Sequence, residues 1–128
     1  NTASHRQMRD AYWWAELIPT AVARVECRMP DVEPLTRILT AAGFDVELIE
    51  PELDGILQGE SYLNPTGPLH ESWRAGDSTW SLTTDAELAV ACERVERMNS
   101  DGSMEPWLKQ REELRQCLGQ STFICGRR

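Results

Sequence analysis

Ser121-Thr-Phe-Ile-Cys-Gly126 sets Phe123, Ile124 and Cys125 side by side near the C-terminus. Successive strand residues point to opposite faces of a sheet, so three adjacent apolar residues describe a strand covered on both faces and interior to its sheet. One other strand pattern accompanies it. In Phe44-Asp-Val-Glu-Leu-Ile-Glu50, Phe44, Val46 and Leu48 alternate with Asp45 and Glu47, the pattern of a half-wet, edge-like strand. Two strands make a marginal sheet. The first residue is Asn1 rather than Met, and it stands just before a helix cap, where a strand hands over to a helix. The expectation is that the rest of the sheet precedes Asn1.

At 128 residues the chain is one domain in size, long enough to bury a core of its own. Thirteen Lys and Arg against 21 Asp and Glu leave a net charge of −8, which argues against nucleic acid and anionic membranes as partners, since both are held by cationic side chains. Apolar runs fall well short of the ~20 residues that span a bilayer, and no signal-peptide pattern opens the chain. A soluble, cytoplasmic protein is expected. Cys27, Cys92, Cys117 and Cys125 form no CxxC pair, and His5 and His70 are far apart, so no metal site is expected. Cys92 and Cys117 fall on apolar helix faces and Cys125 in the apolar strand, which reads as small buried hydrophobes in a reducing compartment.

Helix signals fill most of the remainder. Ser4-His-Arg-Gln7 has the form of a capping box and predicts a helix from His5 that carries Tyr12, Trp13 and Trp14 on its second and third turns. Neighbouring helical residues lie about 100° apart, so these three rings cannot all face one local core. Pro19 predicts a kink or a fresh helix start. Asp31 caps a helix with Leu35, Ile38, Leu39 and Ala42 on one stripe, stopped by Gly43. Residues 51–83 read as a long irregular connection with short helical turns at Leu53–Leu57 and Leu69–Trp73, and Tyr62, Trp73 and Trp80 argue against disorder there. Thr84-Asp-Ala-Glu87 is a second capping box, opening a helix with Leu88, Ala91, Cys92, Val95 and Met98 on one side. A last helix, from about Met104 to Leu118, aligns Trp107, Leu108, Leu114 and Leu118. Glu93–Arg97 and Lys109–Arg115 read as solvated faces with i, i+4 ion pairs.

This order, with Ala42-Gly43-Phe44-Asp45-Val46 at the helix-to-strand turn, "SHRQMRDAYWWAELIP", "GDSTWSL" and a last strand "STFICGRR", resembles the C-terminal part of the class I S-adenosylmethionine-dependent methyltransferases of small-molecule type. The resemblance covers essentially the whole chain. It implies an α/β fold: the C-terminal portion of a seven-stranded doubly wound sheet, mostly helical here, with residues 1–128 as one portion and 51–83 as a lid-like insertion. In that family the seventh strand runs antiparallel between the fifth and the sixth. The family's glycine-rich turn and ribose-binding acid are missing from this chain, so the resemblance implies that S-adenosylmethionine is held by a preceding half. The chain itself would contribute the pocket for a small-molecule methyl acceptor.

Ligands of open α/β sheets lie beyond the carboxyl ends of the strands, which on this resemblance puts Ser4 and His5 beside the transferred methyl, with His5 as the base. The alternative is that Ser4 is only a cap and His5 an exposed first-turn residue. Among Tyr12, Trp13 and Trp14, either one ring walls the acceptor pocket or all three are core. Trp73, Arg74, Asp77, Ser78 and Trp80 form a lid, or else Asp77 makes a turn and Trp80 plugs the insertion. A rival reading is a non-catalytic helical interaction module that docks a partner through exposed aromatics. A self-contained enzyme using His5, His70 and Glu71 has no spacing to support it.

Overall fold

A computed structural model describes residues 2–49 and 55–128. Asn1, Glu50 at the end of the expected first strand, and part of the expected turn at Leu53–Leu57 lie outside the described residues. Helix α1, His5–Asp10, opens on a complete capping box: Ser4 Oγ accepts from Gln7 N–H and the Gln7 side chain accepts from Ser4 N–H. The helix stops before the aromatic residues, which corrects the expectation that it carries them. Tyr12 is extended, and a 3-10 segment follows over Trp13–Leu17. The reason is tertiary. Breaking the helix lets both indoles turn inward, and the backbone groups released at the break find a partner in Tyr62. Its hydroxyl accepts from Trp13 N–H at 2.9 Å and donates to Ala11 C=O at 3.2 Å.

Helix α2, Pro19–Arg28, starts afresh with proline at its first position, where no N–H is needed. Its exposed amides are capped from afar. Glu87 Oε1 accepts from Thr20 and Ala21 N–H at 2.6 and 3.2 Å, so the second capping box forms only by half. Thr84 caps the Glu87 amide, but the Glu87 carboxylate serves α2 instead of returning to its own cap. Helix α3, Val32–Ala41, is capped by Asp31 and stopped by Gly43 at φ +85°. None of its residues is buried, and Ile38 on its apolar stripe is 62% exposed.

Strands β1, Asp45–Ile49, and β2, Phe123–Arg127, pair antiparallel from Asp45 opposite Arg127 to Ile49 opposite Phe123. Just before β2, Thr122 forms an isolated antiparallel bridge with Thr2 through two backbone bonds of 3.0 and 2.7 Å. Among the described residues β2 itself pairs with β1 alone. Its faces are less covered than its apolar run predicts, with Phe123 43% exposed.

The long connection is ordered by short pieces: 3-10 turns at Glu60–Leu63, Gly67–Leu69 and Ser78–Leu82, and a single helical turn α4 at Glu71–Arg74. Tyr62 and Trp80 are buried and Trp73 is half-buried. They meet the first aromatic group edge-on or tilted, Trp13 with Trp73 at 5.9 Å and Trp14 with Trp80 at 5.7 Å between ring centres. Helix α5, Asp85–Asp101, closes this core with Ala91, Val95 and Met98 and ends at left-handed Gly102.

Helix α6, Met104–Leu118, packs Trp107 and Leu108 against the core as expected, but not Leu114, and it also buries residues that the pattern leaves in solvent. Met104, Arg111 and Arg115 are buried while Leu114 is 40% exposed. Both arginines had been placed on a solvated face. Their long aliphatic stems cover the core, and their heads find partners there, Arg111 Nε excepted. Arg111 donates to Glu16 at 2.9 Å and to Arg9 C=O at 2.6 Å; Arg115 donates to Glu112 and to Gly55 C=O, both at 2.8 Å. Arg94, also expected in solvent, lies over the Trp107 ring at 5.4 Å and pairs with Glu16. Cys117 is exposed rather than buried, as is Cys27, and all four cysteines are free thiols.

Truncating a ring at the helix break is far more damaging than trimming the misassigned leucine. Trp13→Ala is expected to cost about 3–5 kcal/mol and Leu114→Ala less than about 1 kcal/mol, measured by urea unfolding followed by far-UV circular dichroism.

Candidate functional site

The aromatic core opens to solvent at a cleft of about 500 Å³, within the usual size of small-molecule sites. Trp14 and Trp73 supply its walls, and Asp77, His70, Gln58 and Ser61 its main polar groups. Trp14 is held from behind by Trp80 and at its side by Tyr12, whose ring centre is 5.3 Å away. Trp73 is fixed by its indole N–H, which donates to Ser61 C=O at 2.7 Å. It lies directly on Gly67, where a Cβ would come within 2.5 Å of the indole ring. Only glycine leaves room for that wall.

Asp77 is oriented from two directions. Its Oδ1 accepts from Thr79 N–H at 2.8 Å, capping the 3-10 turn, and its Oδ2 accepts from the Gln58 side-chain amide at 3.1 Å. Gln58 is contacted in turn by Gln120. Both donors to Asp77 are neutral, and among the described residues the carboxylate has no cationic partner. Its field reaches Tyr12. Burial chiefly, and the negative charge of Asp77 in addition, push the Tyr12 phenol up to about 12. Its hydroxyl donates to Gln120 C=O at 3.0 Å. Burial likewise raises Tyr62 well above its ordinary value, more than offsetting the Trp13 N–H bond that works the other way.

Of the residues singled out from sequence, Trp14, Trp73 and Asp77 come together in this cleft. Trp13 is fully buried, its indole N–H donating to Tyr62 C=O, while Trp80 packs behind Trp14 and Trp73. Tyr12 stands between the two groups of rings. Ser4 and His5 are elsewhere. Ser4 is occupied as a cap, and the His5 ring lies against the junction of α2 and α3, Nε2 at 2.9 Å from Met29 C=O and Nδ1 at 3.8 Å from Asp31. Partial burial works to raise the Asp31 carboxyl, but the amides of Val32 and His5 and the nearby His5 and Arg9 charges hold it below its usual range.

The imidazole that does line the cleft is His70, which no spacing in the sequence ties to Asp77 or to either tryptophan. Gln58 and Ser61 were equally invisible, because the 3-10 path through 58–82 has no sustained period to place one residue over another. The concentration of Tyr62, Trp73 and Trp80 in a Gly- and Pro-rich stretch was the one available signal.

Nothing among the described residues cradles a nucleoside cofactor. Gly59 leads into a 3-10 turn rather than from a strand into a helix, and the space beside Gly67 is filled by the Trp73 ring. No three metal-ligating side chains come together among the described residues.

The chain has two tyrosines, both shifted upward, so the folded protein is expected to show no tyrosinate absorbance at pH 10.5, whereas the chain in urea ionises about a pH unit either side of 10. Because the folded protein holds these protons longer, stability is full below pH 10 and declines as pH rises towards 12. Spectrophotometric titration with and without urea measures both. Gly67→Ala is expected to displace Trp73 and lower stability by about 1–3 kcal/mol, with loss of near-UV circular dichroism.

Compared with known protein families, curated proteins and solved structures, the chain matches none.

Proposed function

We propose that this chain is the acceptor-side portion of a class I S-adenosylmethionine-dependent methyltransferase acting on a small molecule in the cytoplasm. The observation that carries the reading is the strand arrangement. β2 runs antiparallel to β1, and Thr122, just before β2, makes an isolated antiparallel bridge to Thr2, which is compatible with the seventh strand that the resemblance implies between the sixth and the fifth. The poorly covered apolar residues of this layer, Ile38, Leu48, Ile49 and Phe123, are the ones a larger sheet and its helices would bury.

In this reading the chain binds and orients the methyl acceptor, and the cofactor belongs to a part of the enzyme outside it, since the residues described here do not fit it. From Thr2 the backbone passes through the Ser4 cap and α1 into the aromatic stretch whose Trp14 forms part of the wall of the cleft. That wall and the 58–77 segment exclude water and fix the acceptor's orientation, which is most of what a protein contributes to an in-line displacement. His5, caught against Met29, is left out of the site. No helix among the described residues is long and apolar enough to cross a membrane, and four free thiols suit a reducing compartment.

The interaction-module reading loses its docking rings. Trp13, Trp14 and Trp80 are buried, and Trp73 and Trp107 are half-buried against the same core.

Calorimetric titration with S-adenosylhomocysteine tests the proposal. Binding is expected for the product of the complete reading frame that encodes this segment, and none for the 128-residue chain alone. A complete product that folds and binds no S-adenosylhomocysteine overturns the reading.

A further inference from the structure

We propose that the cleft takes an organic cation, an alkyl- or arylammonium group seated against the half-buried Trp73 indole and the Asp77 carboxylate, with the buried Trp14 at the edge of the cleft. As a statement of acceptor class this rests on the methyltransferase reading; as a binding site it does not.

Three features of the cleft converge on that chemistry. Among its described lining residues the one formally ionised side chain is Asp77, and none is lysine or arginine. The nearest arginine in sequence, Arg74, turns away and donates to Pro68 C=O at 2.6 Å. A carboxylate beside apolar walls has a stronger field than one in open water, because less solvent screens it. The effect on the Tyr12 phenol is an internal sign of that field.

The capping role of Asp77 does not exhaust it. Thr79 N–H takes Oδ1 and the Gln58 amide takes Oδ2, one donor each, and each carboxylate oxygen can accept a second. The Gln120–Gln58–Asp77 relay fixes the carboxylate without neutralising it. A site so arranged accepts a positive charge at little reorganisation and repels an anion, as does the chain's net charge of −8.

The walls select an organic cation over a metal ion. Two indoles and a single carboxylate offer too few hard oxygen ligands for a divalent cation, and no cluster of three candidate ligands exists among the described residues. Aromatic side chains with a carboxylate are the usual recognition set for ammonium groups, through the ring quadrupole and direct charge.

The test is a fluorescence titration of the folded chain, which has five tryptophans, two of them at the cleft. The probes are choline chloride and the dimethylbutanol in which carbon replaces the ammonium nitrogen, at matched ionic strength. Saturable binding of choline at least about tenfold tighter than that of the isostere is expected. Asp77→Asn keeps an oxygen for the cap but removes the charge, and is expected to lower choline affinity about tenfold while leaving that for the alcohol unchanged. Thermal melting checks that the variant folds. Equal affinity for the two probes in the unsubstituted protein, or no saturation by choline, overturns the proposal without recourse to any variant. Choline binding by a protein whose complete product binds no S-adenosylhomocysteine keeps the cation site and removes the methyltransferase. The reverse pair keeps the methyltransferase and removes the cation.

Discussion

The hydroxyl of Tyr62 spans the break between α1 and the 3-10 segment, and the rest of the aromatic core depends on that bond pair. A helix that ended at Ala11 without it would leave the Trp13 amide buried and unmatched, at a cost of about 1–3 kcal/mol, and the Ala11 carbonyl with only the long contact of the Gln120 amide. With it, the chain can abandon helical geometry for the few residues needed to send Trp13 and Trp14 the same way. Tyr62 belongs to the long connection, so the connection is built into the core rather than laid over it. The indole of Trp13 repays the contact by donating to the Tyr62 carbonyl.

Charge is used inside this small domain in two different ways. Around Arg111, Arg115, Glu16 and Glu112, buried guanidinium groups meet carboxylates and main-chain carbonyls, and opposite charges are brought together. Such pairs add little net stability, because desolvation offsets most of the attraction, but removing one partner leaves the other stranded. At the cleft, Asp77 is held by neutral amides alone. Glu16 and Arg111 also border a cavity, so what sets Asp77 apart is that its described partners are neutral.

Local chemistry was legible in the sequence where a few adjacent residues decide it. The Ser4–Gln7 box, Pro19 at a helix start, the Asp31 cap, Gly43 as a stop and both strands could be read from spacing alone. What escaped were decisions made across the chain. Glu87 has the position of a capping-box acid, but the free amides of α2 compete for it and win. Arg111 and Arg115 look solvated in a charged heptad, and the side chains of Glu16 and Glu112 draw them in. The aromatic trio reads as too wide for one core only if its backbone is helical, and no local residue announces that Tyr62 will end the helix. Three of the cleft's residues were accessible from sequence as isolated aromatics and a turn acid; their meeting was not, because short 3-10 turns leave no period to follow.

Trp13 and its partner Tyr62 are separated by 49 residues. Closing a loop of that size costs chain entropy before any ring is buried, so this core cannot assemble early from neighbouring segments. α5, capped by Thr84 and stopped at Gly102, and α6, which adjoins it in sequence, are free to form first. The wall segment Tyr12–Leu17 then waits, as an extended apolar stretch, for residues 60–80 to reach it, and that interval is when the folding chain is most exposed to self-association. The cleft therefore exists only once the long connection has closed on the wall segment, and is lost when that connection lets go.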